Sequence, residues 1–257
     1  MIRHRALDLL RGPLRPRIVV TGMPKSGTTA VAMLLGAAAG LKVNSDPFHR
    51  LDRAGVDFRD GLYAGALPLH ELLRRHRRFF RGGLVKDPNF IHLPAALEAL
   101  GSAGWVFVVR DPRHNIRSLL NRLGLPGRIE QGARLENISP TWRRVLDGRT
   151  PDVPGTNHIE RLAHRWALAA RSYAAAADRM VVIRYESFVT DKAAAVEATL
   201  HDLGIPGGRS IEQLADRQFQ PRGQRGVTPA EFFGPDELAS IERICKVDMQ
   251  KLGYTVS

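Results

Sequence analysis

The sharpest chemical signal in the chain is the segment Gly22-Met23-Pro24-Lys25-Ser26-Gly27-Thr28-Thr29. It separates the apolar run Ile18 to Val20 from an alanine- and leucine-rich stretch of helical character. At a helix N-terminus, unpaired backbone N–H groups and the positive end of the dipole hold phosphate or a similar anion. Gly27 lets the backbone approach such an anion closely, and the hydroxyls of Ser26, Thr28 and Thr29 add donors. Lys25 supplies a full positive charge beside any group being transferred. The pattern departs from the nucleoside triphosphate loop, in which a lysine follows the second glycine. Here Thr28 occupies that position and the cation lies inside the loop. A second constellation begins at Arg110, at the end of the apolar run Trp105 to Val109, and continues with Ser118 and Arg122. Residues four apart share one helical face. Ser118, Arg122 and the strand-end Arg110 are therefore placed to converge on one dianion.

Taken together, these motifs resemble those of the sulfotransferases that use 3′-phosphoadenosine 5′-phosphosulfate (PAPS). Pro24-Lys25-Ser26-Gly27-Thr28-Thr29 looks like their 5′-phosphosulfate loop, and the Arg110/Ser118 spacing, with Arg122, resembles their 3′-phosphate site. Arg184-Tyr185-Glu186 resembles the family segment whose tyrosine approaches the adenosine. Gln220-Pro221-Arg222-Gly223 lies where many members fold a basic loop over the 3′-phosphate, which brings Arg222 and Gly223 into the expected site. The Lys86-Asp87-Pro88 form, without a histidine at position 88, is similar to tyrosylprotein sulfotransferases and the bacterial group resembling them. By that resemblance the catalytic base is Asp46 in Asn44-Ser45-Asp46-Pro47, where the family residue is usually Glu. His49 and His92 are the other candidates, and Lys86 becomes a second cation at the sulfuryl group. The resemblance implies PAPS as co-substrate, adenosine 3′,5′-bisphosphate (PAP) as product and no metal. It also implies an acceptor hydroxyl on a glycan, a glycolipid or a secondary metabolite.

These residues need a scaffold that brings strand ends together. Strand-like runs occur at Arg17 to Thr21, Gly83 to Lys86, Trp105 to Val109 and Met180 to Ile183, and polar residues follow each of them. Helical patterns fill the intervals: Thr28 to Ala39, Leu69 to Phe80, Pro94 to Leu100, Arg113 to Arg122, Ile159 to Ala177, Asp191 to Leu203 and Pro235 to Leu252. This alternation predicts an α/β fold, a P-loop-like doubly wound parallel sheet of four to five strands flanked by helices. Residues 1–257 read as one sulfotransferase-like domain. Residues 1–16 form a basic lead-in, and residues 124–157, rich in Gly and Pro, form an insertion or lid.

Composition supports an ordered globular chain: 257 residues, 44% hydrophobic and 25% charged. The single cysteine, Cys245, rules out an internal disulfide framework and any cysteine-cluster metal site. With no signal-peptide pattern after Met1, these features point to a cytoplasmic protein, and the basic lead-in offers a contact for an anionic membrane surface. Lys and Arg total 38 against 26 acids, a net charge of +12, which favours anionic partners. Two other readings follow from the same features. One is a kinase-like phosphotransferase requiring magnesium and a triphosphate. The other is a nucleic-acid binder using the cluster Arg74-Arg75-His76-Arg77-Arg78. Only 7% of residues are aromatic and no recognition motif is present, which argues against nucleic acid.

Overall fold

The computed structural model describes residues 16–101, 103–150, 153–219 and 226–256. The lead-in through residue 15, and with it most of the expected membrane contact, lies outside these residues, as do Arg222 and Gly223. Five strands form one fully parallel sheet: β1 Ile18–Gly22, β2 Val43–Ser45, β3 Leu84–Lys86, β4 Gly104–Val109 and β5 Met180–Arg184. Their order is β2-β3-β1-β4-β5. The chain leaves β1 for one edge and returns on its other side at β4. The strand order thus reverses beside β1, and ligands of open α/β sheets gather outside the C-terminal ends at such a point.

The first described helices are α1 Thr28–Ala39, α2 Pro47–Arg53, α3 Arg59–Tyr63, α4 Leu69–Arg75, α5 Arg77–Phe80 and α6 Ala95–Ala99. They are followed by α7 Pro112–Leu123, α8 Pro140–Leu146, α9 His158–Ala174, α10 Tyr185–Thr190 and α11 Lys192–Asp202. The last three are α12 Glu212–Ala215, α13 Pro229–Phe233 and α14 Pro235–Lys251. Among the described residues, no helix is long and apolar enough to cross a membrane.

Both faces of the sheet are covered, so its strands read as continuous apolar runs rather than alternating ones. Ile18, Val20, Val106 and Val108 face α1 and α11, meeting Leu34, Leu35, Val196 and Leu200. Val19, Val85, Phe107 and Val109 face the other layer, with Ile116, Leu119, Leu162 and Trp166. Removing each large apolar side chain from water stabilises the fold by about 1.5–3 kcal/mol. Residues 124–157 contribute to this layer too. Leu125, Ile138, Val145 and Leu146 are buried in it, and α8 lies within the segment.

Two local differences from the sequence reading have tertiary causes. The helix expected over Leu69 to Phe80 is broken at His76, whose backbone leaves the helical region. Beyond the break, the carbonyls of Phe79 and Arg81 at the end of α5 accept hydrogen bonds from Asn44 Nδ2 at 2.7 and 2.5 Å. The break also turns Phe80 inward against Phe48 and Phe90. β2 gave no recognisable signal because it has three residues and one apolar side chain; its identity comes from pairing with β3.

Gly22 ends β1 at a φ of 140°, and a Cβ there would lie 2.1 Å from the Val108 carbonyl oxygen. Only glycine fits so close to β4. Gly22→Ala is expected to lower the free energy of unfolding by about 2–4 kcal/mol, backbone strain and overpacking combined, as read by urea denaturation.

Candidate functional site

β1 delivers the loop 22–27 to the C-terminal edge of the sheet. Met23 is buried beneath it, and α1 then begins at Thr28 with Gly27 as N-cap. No side chain caps α1 and no acid lies in its first turn. The positive end of a helix dipole favours a nearby anion. Gly27 adopts φ 93°, and a Cβ on it would fall 2.4 Å from the Tyr185 ring. Tyr185, the first residue of α10, thus packs directly on the loop.

Asn115 of α7 locks the loop from beneath, its Nδ2 donating to Pro24 O and to Ser26 Oγ, both at 2.9 Å. Ser26 is fully buried. Accepting from Asn115 leaves the Ser26 hydroxyl proton free to point elsewhere. Among the described residues, the non-glycine residues with positive φ are Lys25 at 70° and Asp46 at 52°. Backbone strain of this kind persists where surrounding structure over-determines it, and it clusters at functional sites. These two residues are also the base and the cation expected from the sequence.

Asp46 precedes α2. Its N–H donates to Lys86 O at 2.7 Å, and its Oδ1 accepts from Lys86 Nζ at 2.8 Å. The Lys86 side chain is 3% exposed and the Asp46 side chain 38%, so the pair is buried on the cation side and open on the carboxylate side. The next residue, Asp87, holds this corner together. Its carboxylate accepts from Phe48 N, Asn89 N and Asn89 Nδ2, and its carbonyl accepts from Thr21 Oγ1. Complete burial pushes the Asp87 carboxyl above the usual range, while the bonds from Asn89 and Phe48 oppose that shift.

Arg110 leaves the end of β4 and donates from Nη1 to Lys25 O at 3.3 Å. Its guanidinium lies 4.6 Å from the Tyr185 ring centroid, a cation–π contact, and its carbonyl accepts from Trp166 Nε1 at 2.9 Å. The two anion sites expected from the sequence are thus joined through Lys25, Arg110 and Tyr185. Burial first, then the charges of Arg122, Arg110 and Lys86, hold the Lys25 ammonium below its ordinary range. Ser118 is half-buried and Arg122 exposed, one turn apart on α7 as their spacing requires. His49 is exposed on α2. Both His92 ring nitrogens are buried without partners, and burial, with Arg165 nearby, keeps this side chain neutral.

The sequence reading did not single out Asn115 or Arg117. The Arg117 Nε is buried and unpartnered, like the Nε of Arg110, and burial together with the Arg110 charge pushes the Arg117 guanidinium down. Asn115 did leave a trace: it shares the buried face of α7 with Ile116, Leu119 and Leu120, and a buried helical asparagine is disfavoured unless it has bonds to make.

No family model matches the chain, and no curated protein matches it in sequence. Its fold is nonetheless shared with solved structures. Sulfotransferase STF9 from Mycobacterium avium superposes with a TM-score of 0.61 at 15% identity, covering 98% of this chain and 81% of that one. The sulfotransferase domain from the curacin biosynthetic pathway gives 0.53 at 15% identity, with 96% and 100% covered. A sulfotransferase from Alicyclobacillus acidocaldarius gives 0.52 at 15% identity, with 93% and 94% covered. The chain therefore has the α/β fold of bacterial sulfotransferases.

Two outcomes test the geometry. Asn115→Ala should cost about 1–3 kcal/mol through the two lost loop bonds and speed hydrogen exchange across residues 23–28 more than in β4. Arg122→Gln should raise the Lys25 pKa by removing the largest neighbouring positive charge. The free-amine fraction of Lys25 at any given pH then falls, and pH-dependent reductive methylation of Lys25 slows.

Proposed function

We propose that the protein is a PAPS-dependent sulfotransferase that moves a sulfuryl group to a hydroxyl of a glycan, a glycolipid or a secondary metabolite. The observation that carries this reading is the excess of positive charge around one strained loop. Lys25, Lys86, Arg110, Arg117 and Arg122 gather there, and Asp46 is the acid paired within the group. Such an excess favours an anion in the site. The shared fold adds independent support.

The residues fit the nucleotide on two counts. Gly27 has no Cβ, so the Tyr185 ring packs directly against the loop, which places an aromatic face beside the α1 N-terminus. The orphaned Nε atoms of Arg110 and Arg117 provide donors with nothing yet to bind. In this assignment residues Pro24 to Thr29 hold the 5′ end, and Arg110, Ser118 and Arg122 hold the 3′-phosphate. Tyr185 borders the adenosine. When bound, the nucleotide supplies the sulfuryl group and a phosphate leaving group.

Asp46 receives the acceptor hydroxyl proton on its exposed side. Lys86 Nζ holds the Oδ1 atom, which fixes the carboxylate orientation and leaves Oδ2 for that proton. The new oxygen–sulfur bond forms as the bond from sulfur to the 5′-phosphate oxygen breaks. Lys25 and Lys86 neutralise the charge that builds across this centre. Positioning and charge neutralisation of this kind dominate the analogous phosphoryl transfers. Depressing the Lys25 pKa keeps its proton mobile enough to follow the developing charge.

PAP should stabilise the chain in thermal unfolding by about 2.7 kcal/mol at a hundredfold excess over its Kd, while ATP with magnesium should not. The reverse preference would transfer the assignment to a phosphotransferase. Asp46→Ala should abolish transfer from labelled PAPS and leave the PAP shift intact, whereas Lys25→Ala should lower kcat by about 10²–10³-fold. Wild-type turnover in Asp46→Ala would overturn the assignment of the base.

A further inference from the structure

Beside this centre, a cavity of about 270 Å³ opens between α3, α8 and α9, its wall formed in part by Arg59, Tyr63, Asn89, Arg144, Arg149 and Arg165. Three of its four arginines are neutralised. Arg59 pairs with Asp52 at 2.6 Å, Arg144 with Asp60, and Arg149 with Asp147 at 2.5 Å. Arg165 is not. It is 7% exposed, its Nε is buried without a partner, and among the described residues no carboxylate comes within ion-pair distance of it. The groups around it are the Tyr63 hydroxyl, which is its hydrogen-bond partner, the Asp52-paired Arg59, the neutral His92 and the face of Trp142, 5.8 Å from its guanidinium carbon. Tyr63 in turn donates to Asn89 Oδ1 at 3.2 Å.

A buried guanidinium with no counter-ion is costly, and it persists where a ligand completes it. With the other pairs neutral, the wall carries one uncompensated positive charge. We infer that this cavity is the acceptor subsite, and that the acceptor carries a monoanionic oxyacid group, a carboxylate or a sulfate ester, that binds Arg165. The inference rests on the sulfuryl-transfer reading and narrows its acceptor to anionic hydroxyl compounds.

The location suits that role. Asn89 lines the cavity and is bonded to the Asp87 carboxylate, the residue next to Lys86, so the backbone of the cavity wall is continuous with that of the Lys86–Asp46 corner. Arg165 also adjoins Trp166, which bonds the Arg110 carbonyl, so one turn of α9 touches both the nucleotide side and the acceptor side. The guanidinium edge presents two parallel N–H groups, the geometry that a carboxylate or sulfate matches and a lone hydroxyl does not.

Three ligands that differ only at sugar carbon six test this: 4-nitrophenyl glucoside, 4-nitrophenyl glucuronide and 4-nitrophenyl glucoside 6-sulfate. They are titrated calorimetrically into the full chain with and without saturating PAP. The wild-type protein should bind at least one of the charged ligands about tenfold more tightly than the neutral glucoside, the worth of one charge-assisted bond. Which of the two is preferred separates carboxylate from sulfate ester. R165Q should erase the preference, and R165K should keep part of it. Equal affinities in the wild-type protein, no binding of either charged ligand, or a preference that survives in R165Q would each overturn the inference, and the first two need no variant to fold. A charged-ligand preference without any PAP binding would retain the anion subsite and remove the sulfotransferase reading; PAP binding without the preference would do the opposite.

Discussion

Concentrated positive charge at the C-terminal ends of parallel strands is the constraint around which the molecule is arranged. Lys25, Lys86 and Arg110 come from the ends of three adjacent strands, β1, β3 and β4, and the charges of Lys86 and Arg110 both act on Lys25. Like charges so close together are unfavourable, and burial of Lys25 adds to the cost. A chain keeps such an arrangement only if its backbone cannot relax away from it. The rest of the structure provides that rigidity.

The rigidity comes from buried polar bonds rather than from hydrophobic packing alone. Asn115 ties the loop to α7, Trp166 ties Arg110 to α9, and Asp87 ties the start of α2 to the end of β3. Glu186 accepts from Asp111 N and from Tyr254, linking the end of β4 to the residues that follow α14. A satisfied buried network of this kind fixes one geometry, because any displacement strands a donor or an acceptor out of reach of water. The same network holds Lys25 and Asp46 in left-handed backbone conformations that would otherwise cost about 1–3 kcal/mol each.

The buried and half-buried arginines divide into those held by acidic partners and those that are not. Arg113 is gripped by Asp111 at 2.6 Å and Glu242 at 2.8 Å, and Arg59, Arg144 and Arg149 also have acidic partners. Arg110, Arg117 and Arg165 keep buried Nε atoms without hydrogen-bond partners, as do Arg161 and Arg184, and of these Arg165 lines the cavity between α3, α8 and α9. Bulk net charge therefore says little here, since most of it is solvated or paired.

Local sequence determined the elements whose signals are local. The apolar runs of β1, β4 and β5, the Gly22 to Gly27 loop, and the Asp111-Pro112 start of α7 are each set by neighbours along the chain, so they were legible with boundaries near those observed. That Ser118 and Arg122 share a face was legible for the same reason, because helical periodicity fixes it, whereas grouping them with Arg110 came from the resemblance to sulfotransferases. Only the tertiary structure decided the rest. β2 exists because β3 pairs with it, the break at His76 exists because Asn44 captures the carbonyls beyond it, and Asp46 meets Lys86 across 40 residues. The solitary state of Arg165 is of this second kind, since the absence of a counter-ion is a property of every element packed around a residue, which no stretch of sequence records.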